Sequence, residues 1–246
     1  MAGVTKYHMI RDHLLDRLDS MAAGEQLPTE RDLAQELGVS RMTLRRATDE
    51  LVAGGLVRRR PGAGVFAVGP KLDTALAATS FTQDMLSRGL RPGSRMLAFE
   101  RRAAGARIGR RLEVSPSADV VHATRLRLAD EEPMSIETLY VPESVVPGLT
   151  VDDLEDASYY ELLRLRYGVV IARGVQTIQP TVTDEEESRE LGVPLHSPAL
   201  LFERTSWAAD GTVVEFVRSI YRGDRYQIRT ELTVPRTAAP VQETTG

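Results

Sequence analysis

A chain of 246 residues, 42% apolar and 27% charged, has the composition of a soluble globular protein with room for one large domain or two ordinary ones. Its net charge of −4 excludes a uniformly basic coat for nucleic acid but leaves room for a local basic surface. The lack of cysteine excludes a disulfide framework, a thiol nucleophile and a Cys-ligated metal. No signal-peptide core follows Met1, and no run of ~18 apolar residues could span a bilayer, so a cytoplasmic protein without a membrane partner is expected.

Charge and pattern divide the chain. Residues 1–70 hold ten Lys/Arg against nine Asp/Glu, and the rest hold 21 against 26. Apolar residues at Tyr7, Ile10, Leu14, Leu15 and Leu18 predict a helix over 6–18. Thr29 and Asp32 have the spacing of a capping box opening a short helix that Gly38 ends. Ser40 caps a third helix with the stripe Leu44, Ala47, Leu51 and Val52, which Gly54-Gly55 stops. The stretches 56–60 and 65–68, joined by Pro61-Gly62-Ala63-Gly64, predict a hairpin.

Residues 70–79 form a connector, partly helical by pattern and without an apolar core, so the two parts are expected to move relative to one another. Beyond it, strands are predicted over 95–102, 120–128, 134–141, 169–177, 200–208, 213–221 and 227–234, with helices over 82–88, 106–112, 159–167 and 184–191. Short turns such as Asp210-Gly211 favour antiparallel pairing, giving an α+β class with an antiparallel sheet. The expected organisation is a helical unit with a hairpin over 5–69, a linker over 70–79, a second domain over 80–236 and a disordered tail over 237–246.

Ala34, Gly38 and Leu44 have helix-turn-helix spacing: a small residue where helices touch, a glycine in the turn, an apolar anchor. On the face opposite the stripe, Ser40, Arg41, Thr43, Arg45 and Arg46 gather in two turns. Arginines there can read guanine in the major groove, while hydroxyls and helix amides hold phosphates. The hairpin, fed by Arg58, Arg59 and Arg60, then serves as a wing.

The second half offers an anion site. Arg125 and Arg127 alternate along a strand and share a face, where their repulsion is costly unless an anion lies between them. The alternative is pairing with Glu137 or Asp130 on a solvated face. Ser80 and Thr82 add hydroxyls at a helix start; Glu137, Glu215 and Tyr221 can bind hydroxyl or amino groups. Phe81 reads more simply as core, Arg222–Tyr226 as a structural turn with an internal Arg–Asp pair, and Asp184–Glu187 as an acidic first helical turn. Histidines 8, 13, 122 and 196 lack metal-ligand spacing, so no metal or cofactor is expected.

The run LPTERDLAQELGVSRMTLRRATDELVAGGLVRRRPGAGVFA resembles the winged helix-turn-helix of the GntR family of bacterial transcription regulators. The resemblance implies DNA contacts at Arg31, Ser40, Arg41, Thr43, Arg45 and Gly64. The pieces SFTQDMLSRGLRPGS, RLRLADEEPMSIETLYVPE, SYYELLRLRYGV, ELGVP and EFVRSIYRGDRYQI resemble the sensor (UTRA-type) domain of its HutC branch, implying a chorismate-lyase-like fold. In that branch's amino-sugar-phosphate sensors, positions matching Ser80, Phe81, Thr82, Arg125 and Arg127 hold phosphate. Those matching Glu137, Ser158, Tyr160, Glu215 and Tyr221 surround the sugar. The expectation is a homodimeric, operator-binding regulator of repressor type, tuned by a small anionic metabolite. Two alternatives stay open: a chorismate-lyase-like enzyme, and a DNA-binding regulator with no small-molecule effector.

Overall fold

The computed structural model describes residues 2–68, 72–74, 80–155 and 158–228. Its N-terminal part is α1 (Ala2–Asp19), α2 (Glu30–Glu36), α3 (Arg41–Ala53), β1 (Val57–Arg60) and β2 (Gly64–Ala67). Ile10 and Leu14 of α1, Leu33 and Ala34 of α2, and Leu44, Ala47 and Leu51 of α3 bury one another. Burying each leucine contributes about 1.5–3 kcal/mol, and this packing keeps the seven-residue α2 helical, since so short a helix is not stable alone. Thr29 caps α2 by accepting the Asp32 N–H at 3.2 Å. The Asp32 carboxylate in turn accepts the Thr29 hydroxyl at 2.7 Å, so the return bond of the box runs to the side chain.

The remaining elements are β3 (Leu72–Thr74), α4 (Phe81–Ser87), β4 (Pro92–Ala103), α5 (Gly105–Leu112), β5 (Asp119–Ala129), β6 (Glu132–Pro142), α6 (Tyr159–Arg166), β7 (Ile171–Val182), α7 (Glu185–Leu191), β8 (Pro198–Ala208), β9 (Val213–Arg222) and β10 (Tyr226–Ile228). Six strands form one antiparallel sheet in the order β4-β5-β6-β9-β8-β7. α6 packs on the face bearing Ala123, Leu139 and Val217. α7 packs on the other face, bearing Leu126, Ile136 and Ile220. α4 joins α6 on the first side through Phe81 and Met85, which pack with Met134 and Tyr226.

Three expectations are corrected. The connector is not helical at 72–74; it is a strand paired in parallel with β10, because a neighbouring strand end offers its backbone the partners that a short isolated helix would lack. The strand expected over 169–177 spans Ile171–Val182 and includes Pro180, tolerated because β7 lies at the sheet edge. The last strand begins at Tyr226, one residue early. The rest of the connector, residues 229–236 and the tail over 237–246 lie outside the described residues. The two parts also touch directly: Arg58 Nη2 in the wing lies 2.7 Å from Glu132 Oε1.

Candidate functional sites for DNA and an anion

At the first site, Ser40 Oγ accepts the Thr43 N–H at 3.1 Å and shares a 2.8 Å hydrogen bond with the Thr43 hydroxyl. These two residues therefore set the start of α3 as well as offering oxygens. Arg41 and Arg45 are exposed, and neither has an ion-pair partner among the described residues. Arg31 is also exposed, with only a loose 3.5 Å contact to Asp32. The wing arginines differ. Arg59 is held by Asp49 at 2.7 Å and Glu30 at 3.0 Å, and Arg60 lies over the Phe66 ring at 4.5 Å.

A groove of about 410 Å³ runs between the start of α2 and the wing, lined by Thr29, Arg31, Arg60 and Gly64 among others. Gly64 has φ +117, and a Cβ there would sit 2.6 Å from Gln26 Nε2. Gln26 braces the wing by donating to the Ala63 carbonyl at 2.8 Å. This brace was not legible in the sequence, because it links residues 37 apart. The arrangement is an exposed helix start flanked by a rigid, basic wing, suited to a phosphate backbone and a major groove.

The second site follows from strand register. Arg125 stands opposite Glu137, and Arg127 opposite Ser135. Glu137 stands opposite Ser219, Ser135 opposite Tyr221, and Glu215 opposite Ser206. Directly opposed residues share a face, so these side chains converge under α4 and α6. Arg125 is 2% exposed; it donates to Glu137 from Nε at 3.2 Å and Nη2 at 2.5 Å, and to the Leu154 carbonyl at 3.0 Å. The alternative pairing with Glu137 is thus correct for Arg125, but in a buried site and not on a solvated face.

Arg127 is different. It is 3% exposed, donates from Nη2 to the Thr82 hydroxyl at 3.1 Å, and faces the Phe81 ring at 4.7 Å. Its Nε and Nη1 are buried without a hydrogen-bond partner. Burial, reinforced by the like charge of Arg125, lowers this guanidinium to about 10. It stays charged at neutral pH, with two unspent donors.

Around it, Ser80 Oγ caps α4 by accepting the Gln83 N–H at 3.2 Å, and accepts from Ser158 Oγ at 3.3 Å. Ser158 also caps α6 by accepting the Glu161 N–H. Phe81 is core, as its apolar character implies, and also a face for Arg127. Glu215 Oε1 accepts from Tyr160 at 2.8 Å and Ser206 at 2.7 Å, while Oε2 is buried without a partner. Burial raises the Glu137 carboxyl, but Arg125 and Arg127 outweigh it and hold the group below its ordinary value. Burial and then Glu137 push the Tyr221 phenol up to about 12, so it remains a donor.

Arg204 was not among the predicted residues. It lies 3.4 Å from Glu215 Oε1; burial opposes its charge, but Glu215 and Tyr160 raise it above its ordinary value. Its alternation with Phe202 and Ser206 along β8 was visible, yet only the β8–β9 register puts it beside Glu215. The charged side chains lining the site comprise Arg125, Arg127 and Arg204 against Glu137 and Glu215, three arginines to two carboxyl groups. Two adjoining cavities of about 20 and 30 Å³ share Phe81, Glu137 and Arg204 in their walls.

Comparisons with known proteins match both parts of the chain to known families. Residues 6–67 match bacterial regulatory proteins of the gntR family, and residues 87–227 match the UTRA domain. The chain is 34% identical over 223 residues to the HTH-type transcriptional repressor NagR of Bacillus subtilis, covering 89% of this chain and 91% of that one. It is 29% identical over 224 residues to the mannosyl-D-glycerate transport/metabolism system repressor MngR of Escherichia coli, covering 90% and 93%. The crystal structure of PhnF from Mycobacterium smegmatis superposes with a TM-score of 0.64 at 32% identity, covering 91% of this chain and 99% of that one. With a winged helix at one end and a UTRA sheet at the other, the chain belongs to the GntR family and is a HutC-type transcription regulator, not an enzyme.

Proposed function

We propose that this regulator is a homodimeric operator-binding repressor whose DNA affinity is set by a small anionic metabolite, an amino-sugar phosphate such as glucosamine-6-phosphate or N-acetylglucosamine-6-phosphate. The observation that carries the reading is Arg127, a buried guanidinium with two unpartnered donors. An unpaired buried charge is costly, and a phosphate reaching Nε or Nη1 would offset that cost with charge-assisted hydrogen bonds. Glu137 and the free Oε2 of Glu215 are acceptors suited to hydroxyl and ammonium groups, and Tyr160 and Tyr221 supply phenols. The repressor named for mannosyl-D-glycerate, itself an anionic sugar derivative, is a relative consistent with this chemistry.

Each cavity is the size of one water, whereas ligand pockets are roughly 300–1,000 Å³. A sugar phosphate at Arg127 therefore needs more room than these two cavities give, and a shift of α4, which bears Phe81 and Thr82, would open it. Dimerisation is supported by the long edge strand β7, whose outer side is unpaired among the described residues and which exposes Val175 and Val182. Two recognition helices also double the half-site contacts.

The test is thermal shift of the full chain with glucosamine-6-phosphate, N-acetylglucosamine-6-phosphate, glucosamine and inorganic phosphate. Operator release is then measured on a duplex selected from a random pool. The sugar phosphates should stabilise wild type and change DNA affinity, and Arg127→Ala should abolish both effects while still binding the duplex. A protein indifferent to every anion would favour the regulator without an effector.

A further inference from the structure

The Arg222–Tyr226 turn does more than close the sheet. Arg222, 4% exposed, grips Asp224 from Nε at 3.0 Å and Nη2 at 2.7 Å, and donates from Nη1 to the Pro133 carbonyl at 2.8 Å. Gly223 is seated so closely on Pro198 that a Cβ would lie 2.7 Å from its carbonyl oxygen. The turn is thus welded to β8 and to the β5–β6 turn. Its outward side meets the DNA-binding unit. Gly55, with φ +71, rests on Asp224 with no space for a Cβ, which would come within 2.6 Å of the Asp224 Cα. Glu132 is shared by Arg225 and Arg222 of the sensor and by Arg58 of the wing at 2.7 Å.

The inward side of the same turn reaches the anion site. Tyr226 packs edge-on against Tyr221 with ring centroids 4.4 Å apart, and clusters with Phe81 and Met85 of α4. Tyr226 also opens β10, which pairs with the connector strand β3. A shift of Phe81 or Tyr221 therefore meets the turn that holds the wing without crossing a gap. Of the three wing arginines, Arg59 is tied to Asp49 and Glu30 inside its own unit and Arg60 lies on Phe66, so among the described residues Arg58 is the one held by the other domain.

We infer that Arg58 is a DNA-phosphate contact held in reserve: the Arg222–Tyr226 turn and Glu132 dock the wing on the sensor, and Glu132 competes with DNA for the Arg58 guanidinium. The inference rests on the operator-binding reading above. While docked, Arg58 spends Nη2 on the sensor's Glu132, so docking competes with full engagement of the wing on phosphate. An effector that moves Phe81 or Tyr221 alters DNA affinity only by favouring one of these arrangements.

The test uses the full-length chain on the selected duplex, across a salt series. Glu132→Gln should tighten binding about three- to tenfold and steepen the salt dependence by about one counterion per half-site. Arg58→Gln should bind no tighter than wild type, and adding Glu132→Gln to it should change nothing further. An unchanged affinity for Glu132→Gln, or the same gain in the Arg58→Gln background, would overturn the inference. Because the chain has no cysteine, Arg58→Cys/Glu132→Cys can be bridged by a short bis-maleimide, which guards against misfolding of the single variants. Both forms lack Arg58, so their difference reads docking alone: the bridged protein should bind DNA more weakly than the same protein unbridged, because a wing tethered to the sensor cannot seat on the backbone. Equal affinities, or no intramolecular bridge at all, would refute docking. Failure of wild type to select any duplex would instead refute the operator-binding reading itself.

Discussion

Replacing Arg127 by methionine should make the free protein more stable while destroying its response to anions. The guanidinium is 3% exposed, and burial together with Arg125 lowers it from its ordinary value to about 10. Remaining charged at neutral pH in that position costs roughly 3 kcal/mol. Methionine fills similar space without the charge, but gives up the hydrogen bond to Thr82, about 1 kcal/mol, and the cation–π contact with Phe81, of similar size. The net expectation is a gain of about 1 kcal/mol, read by calorimetry as a rise in Tm of about 2–4 °C. Titration with glucosamine-6-phosphate should show affinity weakened by about 2–5 kcal/mol. A variant that melts below wild type and still binds the sugar phosphate normally would refute the reasoning, since Arg127 would then be a satisfied structural residue.

Arg41→Ala and Arg45→Ala should each lose specific duplex binding with an unchanged melting curve. The loss is about 1–3 kcal/mol per half-site at matched salt, and wild-type affinity in both would remove α3 as the reading helix. Gly64→Ala should loosen the wing, because its Cβ would strike Gln26 and φ +117 disfavours any side chain; faster hydrogen exchange at 64–67 checks this. Glu137→Gln should destabilise by about 3–5 kcal/mol at pH 7 by leaving Arg125 short of its partner. Because the folded Glu137 carboxyl lies below its ordinary 4.5, its stabilisation is complete above that pH and disappears as pH falls through the folded value. The gap between wild type and variant in urea midpoints should therefore close in acid, and a gap independent of pH would contradict the buried pair.

How much was legible in the sequence differs between the two sites, for a physical reason. The DNA-facing site is local: Ser40, Arg41, Thr43 and Arg45 fall within six residues, and a helix of known period decides which face each occupies. Helix starts at Thr29, Ser40, Ser80, Ser158 and Asp184 were likewise readable, because a cap bonds three residues ahead along its own chain. The anion site is assembled from five separate elements, α4, β5, β6, α6 and β9, with Arg204 added from a sixth. Alternation along β5 sets Arg125 and Arg127 on one face, but the fates of the two differ by register. One stands opposite a carboxylate and is neutralised; the other stands opposite a serine and keeps two free donors. The same holds for the Arg222–Tyr226 turn, whose internal Arg–Asp pair was visible in five residues while its contact with Gly55, and its sharing of Glu132 with Arg58, were not. Local sequence determined the periodic elements, their caps and the basic helix, because those interactions span a few residues. Tertiary structure alone decided which charges are paired and which domain holds the wing, because burial and strand register bring together residues far apart in the chain.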